Sequence, residues 1–415
     1  MPARQPTRIT VPAALAAVTT TDHTTEVPGP KAGLAAEDVT AVWQAVQALY
    51  RTGVYPSVAF CLRRRGQIIL NRTLGHASGN GPLDAADTPK RLLAPDTPIC
   101  LFSASKAVVA TLVHLLADQG EIVLDSRVSR YLPAFAQAGK AATTIADVLA
   151  HRGGFPTLPA ADLVAPEALL NDWPRVVDLI CAAPPTQNGR SAYHALTAGF
   201  VLGEVIQRVT GETLSAFMTQ QLRRPLGMRH FTYGLPKAQR AHAAQNYVAG
   251  APVRFPFSAI VERALHLPFA DVVRVSNSAA FQQAVIPAGN LYTTAEELSR
   301  FYQMLLDGGV YGGRRILTAA AVTRLVRPVG SVSLDRTLMI PMRYSEGLML
   351  GARPFGLFGP NTAQAYGHLG FMNILGWADP QREIAAALLT TGKAVMGSHL
   401  VALSSLLSTL AKRCT

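Results

Sequence analysis

The chain of 415 residues carries 38 basic against 26 acidic side chains, a formal net charge of +12, and is 49% hydrophobic and 15% charged. So much apolar material with so little charge buries a core, which excludes a disordered chain, and the length suits two or three units of roughly 150 residues. The longest nearly unbroken apolar run, around Ala107–Ala117, holds a histidine and falls short of the roughly 18 residues a spanning helix needs, so no membrane span is expected.

The net positive charge is spread thinly. Only Arg63–Arg65 and Arg223–Arg224 cluster, and neither is interleaved with aromatics as a nucleic-acid face would be, so a basic surface and no nucleic-acid partner is the reading. The four cysteines, Cys61, Cys100, Cys181 and Cys414, form no C-x-x-C pair and read as reduced, buried thiols. Ten histidines include neither H-E-x-x-H nor H-x-H, so no metal or other cofactor is implied. Arg4 and Arg8 precede the alanine-rich stretch 9–18, but Pro12 interrupts it and no cleavage site follows. A cytoplasmic protein is expected.

In chain order, residues 1–36 are rich in Ala, Thr and Pro and read as an extended lead segment that adds little chemistry. Helical spacing over Ala36–Arg51 precedes two strands, Ser57–Leu62 and Gln67–Leu74, joined by the turn Arg63–Gly66. A helix from about Ser105 to Gln119, closed by Gly120, is apolar around most of its circumference and must be buried on all sides. Helical patterns then dominate: Thr144–Ala150, Trp173–Ala182, Thr197–Thr210, Thr213–Leu222 and Thr294–Leu306. Strand character returns at Ile374–Ala378 and Ile384–Leu389 across the turn Asp379–Pro380, and a helix Ser398–Leu410 follows. The pattern predicts an α+β fold: one antiparallel sheet built from both ends of the chain (37–142 and 331–415), flanked by helices, with a mainly helical domain (143–330) inserted.

The nucleophile elbow G-x-S-x-G of the α/β-hydrolases is absent; in the nearest approach, Gly189-Arg190-Ser191, Tyr193 stands where the last glycine belongs. S-x-x-K occurs as Ser103-Ala104-Ser105-Lys106, at the start of the buried helix. On spacing alone two readings stand: a helix-capping serine followed by a solvated lysine, or a nucleophile with its activator. Residues three apart share a helix face, so the amine of Lys106 can reach the Ser103 hydroxyl. Burial and the positive end of the helix lower the lysine pKa, and the same helix N-terminus offers N–H groups to an oxyanion.

Three separated segments then resemble the serine β-lactamase-like and penicillin-binding superfamily, most closely its family VIII carboxylesterases. They are Leu101-Phe102-Ser103-Ala104-Ser105-Lys106; Tyr193-His194-Ala195-Leu196-Thr197, similar to the Tyr-x-Asn region; and Tyr366-Gly367-His368-Leu369-Gly370, similar to the H-x-G variant of the K-T-G strand. His151-Arg152-Gly153-Gly154 and Ile286-Pro287-Ala288-Gly289-Asn290 support the match, which spans about residues 37–412. The resemblance implies Ser103 as acylated nucleophile, Lys106 as its partner, and Tyr193 as a phenol sharing their proton. It further implies an oxyanion hole from the backbone N–H groups of Ser103 and Phe371, and substrate contacts at His368, Gly370, Phe371 and Asn373.

Two departures bear on substrate. Ala195 replaces the asparagine of Tyr-x-Asn, and His368 replaces the lysine of K-T-G, removing a fixed charge suited to a substrate carboxylate. Both weaken β-lactam hydrolysis and leave ester chemistry intact. Bulky Phe371 and Met372 after H-x-G lead one to expect a narrow pocket and short acyl chains. The expected activity is hydrolysis of small carboxylic esters through an acyl-enzyme. The rivals on the same fold are a β-lactamase, a D-aminopeptidase or D,D-peptidase, a transacylase, and a non-catalytic ligand sensor or scaffold.

Overall fold

The computed structural model describes residues 7–157, 169–186 and 189–415. Its centre is an eight-stranded antiparallel sheet. Seven strands run in the order β1 (Thr19–Thr21), β3 (Gln67–Ser78), β2 (Ser57–Arg64), β7 (Ile384–Thr390), β6 (Ile374–Asp379), β5 (Tyr366–Gly370) and β4 (Met349–Leu350), and the short strand Arg91–Leu92 also pairs with β3. The two ends of the chain meet in the middle, where β2 and β7 pair from Val58↔Thr390 to Arg64↔Ile384.

Every residue of β2 and of β7 is buried, and the stretches 58–62 and 384–389 within them read as continuous apolar runs, as strands covered on both faces do. Their side chains still alternate. Ile384, Ala386 and Leu388 share a core with helices α1 (Ala36–Arg51) and α5 (Ser398–Arg413). Ala385, Ala387 and Leu389 face the other way, into a core shared with helices α2 (Lys106–Asp118), α3 (Thr197–Thr210) and α4 (Ala295–Leu306). Helix α4 approaches so closely that a Cβ on Gly376 would sit 2.5 Å from Tyr302 Cε2, which accounts for glycine there.

Three boundaries differ from expectation. The lead segment is part of the fold: Thr19–Thr21 pairs with β3, and Ile9, Leu15 and Val18 are buried. Threonine reads as polar, but it is β-branched and suits a half-buried edge strand. Helix α4 lies before residue 331 yet packs on β2, β6 and β7, so the sheet layer claims part of the stretch assigned to the helical insertion. Thr213–Leu222 is not one α-helix; Leu214–Met218 is continued by a π turn, Thr219–Arg223. The helix pair Phe257–Leu265 and Phe269–Ser276, between Pro256 and the sheet strands, carried no clear pattern in the sequence.

Candidate active site

Helix α2 is entered through a 3-10 turn, Phe102–Ser105, so Ser103 lies one turn before the α-helix proper and is partly exposed, while Ala104, Ser105 and Lys106 are buried. Phe102 sits at φ +47°, a left-handed conformation that a bulky residue adopts only where its surroundings hold it. The turn is pinned from behind. The Ser105 hydroxyl donates to Phe102 O, and Leu291 N donates to Ser105 Oγ at 3.0 Å. Ser105 is therefore the structural serine of the pair and Ser103 the available one.

Lys106 Nζ has three neighbours: Ser103 Oγ at 3.2 Å, Ala195 O at 2.7 Å and Ala288 O at 3.0 Å. It also stands 4.7 Å from the centroid of the Tyr193 ring. Burial drives the Lys106 pKa well below its ordinary value. Both carbonyls come from the segments that follow Tyr193 and surround Pro287. The second is braced by Asn290, whose Oδ1 accepts from Ile286 N while its Nδ2 donates to Phe281 O and Ala284 O.

Tyr193 is buried, and its phenol oxygen makes no hydrogen bond of good geometry. Burial raises its pKa, Ser103 acts to lower it and Asp335 to raise it. The phenol is thus protonated at neutral pH and faces the nucleophile. Around it lie His151, with ring centroids 4.6 Å apart, and His368, at 6.2 Å. His151 is held far below its usual pKa, first by burial and then by His194, Lys106 and His368. His368 Nδ1 donates to Leu369 O at 2.7 Å, and burial, with Lys106 nearby, pushes its pKa down to about 3. The imidazoles beside Ser103 are neutral, so neither His151 nor His368 supplies a fixed cation.

The main residue that sequence reasoning missed is Asp335. Its fully buried carboxylate accepts from Tyr193 N at 3.1 Å, from Thr337 N and Leu338 N at 2.9 Å each, and from Tyr344 OH at 3.0 Å. It fixes the backbone from which the phenol projects. The local signal was an Asx-type turn at Asp335-Arg336-Thr337, whose link to Tyr193 only the fold supplies.

Strand β5 brings the third segment alongside. β4 pairs only with Tyr366 and Gly367, so the half of β5 from His368 to Gly370 has no partner on that side and lies open to the nucleophile turn. A Cβ on Gly370 would meet Leu101 O at 2.3 Å, so glycine is what lets the strand come this close. Among the described residues, neither Ser103 N nor Phe371 N donates to a protein acceptor. Asn373, expected among the substrate contacts, donates from Nδ2 to Tyr55 OH at 2.7 Å and does not line the cavity described below. The turn holds Met372 and Asn373 at φ +53° and +71°, and Met372 packs beside Phe371 against Val261, Phe269 and Val273.

Phe371 does not close the pocket as its bulk suggested. Its ring leans on Phe102 (5.5 Å) and Phe269 (5.3 Å) and forms one wall of an apolar cavity of about 160 Å³ that begins at Ser103. Lys106, Tyr193 and His368 do not line it. No cluster of side chains suited to a metal occurs among the described residues, and no helix there is long and apolar enough to cross a membrane.

A sheet assembled from both chain ends, with a serine–lysine turn at the head of a buried helix and a phenol beside it, defines a β-lactamase-type hydrolase. The chain belongs to the Beta-lactamase family, whose model matches residues 42–409. It is 32% identical over 306 residues to the esterase/beta-lactamase LipL of Mycobacterium tuberculosis, covering 71% of this chain and 69% of that protein. The crystal structure of a family VIII carboxylesterase superposes with a TM-score of 0.77 at 27% identity, over 92% of this chain and 99% of its own. A penicillin-binding protein homologue from Caulobacter crescentus also gives 0.77, at 26% identity, over 91% and 98%.

Proposed function

We propose that the protein is a serine carboxylesterase that works through a covalent acyl-enzyme on Ser103. The observation that carries this reading is the surroundings of the Lys106 amine. A neutral amine has two N–H donors and one lone pair, and Nζ has two carbonyls and one hydroxyl around it. With the N–H groups given to Ala195 O and Ala288 O, the lone pair is left to accept the Ser103 proton.

In the first half-reaction Ser103 Oγ bonds to the ester carbonyl carbon as its proton passes to Lys106. The N–H groups of Ser103 and Phe371, with no other acceptor, receive the developing oxyanion. The ester C–O bond breaks, and the alcohol leaves with the proton, relayed through Tyr193. Water then attacks the acyl carbon and gives a proton to the same pair, which returns it to Ser103 Oγ as the acyl C–Oγ bond breaks, releasing the acid and the free hydroxyl.

A neutral His368 in the place of a lysine favours neutral esters over β-lactams and D-alanyl peptides, whose carboxylates suit a fixed cation there. A fluorophosphonate probe should label the wild type and not Ser103→Ala, and a p-nitrophenyl ester should be turned over at least ~100-fold faster than nitrocefin. Equal labelling of both proteins would refute the nucleophile, and the reverse substrate order would refute the ester preference.

A further inference from the structure

We infer that the cavity behind Ser103 is an acyl-chain site, and that the preferred substrates are esters of unbranched or aromatic acids of six to eight carbons. The inference rests on the esterase reading above and adds the substrate class to it. The cavity is formed where Val176 and Ile180 of helix Trp173–Ala182, Phe200 of α3, Leu265 and Val272 of the capping helix pair, and Phe371 converge. Among the described residues, none of its lining side chains carries a charge; the His266 imidazole is held neutral by burial. A charged or strongly hydrated group would lose its water there and find no charged partner among the described residues.

Which part of the ester enters follows from the position of the proton machinery. The leaving oxygen must be reached by Tyr193 or Lys106, and neither lines the cavity. The alcohol therefore leaves on the polar side of Ser103, and the acyl group, which stays bonded to Ser103 through both half-reactions, extends into the apolar side. Capacity follows from volume. An apolar cavity of roughly 150 Å³ takes up a benzene ring, about six carbons, so 160 Å³ holds about that many beyond the first atoms of the acyl group.

Each methylene moved from water into such a site contributes about 0.8 kcal/mol, close to fourfold in kcat/KM. Two series of esters test this. With p-nitrophenol fixed and the acyl chain lengthened from acetyl, kcat/KM should rise by up to about fourfold per carbon, at least ~100-fold by octanoyl, and fall beyond about ten carbons. With acetate fixed and the alcohol lengthened from ethanol to octanol, it should change less than ~10-fold.

Val176→Phe, which places a ring in the cavity, should lower the octanoyl-to-acetyl ratio at least ~30-fold. Phe200→Ala, which opens it, should move the optimum toward longer chains. If Val176→Phe does not fold, the shift in Phe200→Ala decides. A flat or falling acyl profile, a rise confined to the alcohol series, or ratios untouched by both variants would overturn the acyl site while fluorophosphonate labelling of Ser103 left the esterase reading in place. Loss of that labelling in the wild type would remove both.

Discussion

Lys106→Met tests the centre of the site, because it keeps the length and packing of the side chain and removes only the amine. Without the proton acceptor, kcat on an activated ester should fall by about 10²–10⁴. Stability should respond in a way that depends on pH. The substitution leaves Ala195 O and Ala288 O without their donor, at about 1–3 kcal/mol each. The wild type carries an opposing cost: the unfolded chain holds the Lys106 proton up to about pH 10.4, while the folded chain has released it at lower pH.

Between those two pKa values the unfolded state binds one proton more, so native stability rises with pH by about 1.4 kcal/mol per unit. Lys393, buried against the Phe102 ring and pushed down to about 7, adds an equal slope from about pH 7 to 10. Whatever slope the other buried groups add, the stability of Lys106→Met should therefore fall behind that of wild type by about 1.4 kcal/mol more per pH unit across that range, and the variant should be least destabilised relative to wild type at its acid end. Chemical denaturation at pH 7.5, 8.5 and 9.5, with kcat measured on the same samples, reads both effects. A variant that retained kcat within tenfold, or whose stability difference from wild type did not change with pH, would refute a neutral buried lysine as the base.

Two further substitutions test the supports. Asp335→Ala strips acceptors from three backbone N–H groups and the Tyr344 phenol and should cost about 3–5 kcal/mol; in the folded fraction kcat should drop 10–100-fold as Tyr193 drifts. Asp335→Asn, which keeps the Oδ1 acceptor, should recover most of both, and equal losses in the two variants would count against an anchoring role. Gly370→Ala drives a methyl into Leu101 O and must push β5 off the nucleophile turn. It should cost about 1–3 kcal/mol and lower kcat at least ~10-fold, whereas unchanged kinetics would mean that the approach of β5 is not needed for catalysis.

Ser103 and Lys106 were legible because their relation is local: one helical turn, on a helix whose all-round apolar surface announced its burial. Tyr193 was legible only through the resemblance, since nothing in its own neighbourhood distinguishes it from another buried tyrosine. Asp335 was not, because its partners are backbone N–H groups that have no sequence signature, and the one that matters belongs to a distant segment. Phe371 shows a different limit. Its bulk was evident, but whether bulk fills a pocket or walls it depends on side-chain direction, which the tight turn through Met372 and Asn373 sets. The cavity itself is made of ordinary apolar residues from several helices, each of which would read equally well as core.

The pairing of β2 with β7 joins segments separated by about 320 residues. At the ~5–20 residues per second of translation, the early hairpin waits roughly 16–64 s for its neighbour. During that interval β2 offers an unpaired edge that is apolar from Val58 to Leu62, the kind of surface on which nascent chains associate wrongly. The serine-bearing turn cannot be completed sooner either, because β5 arrives in the same late stretch. A productive folding path therefore requires that early hairpin to stay shielded until the last strands emerge.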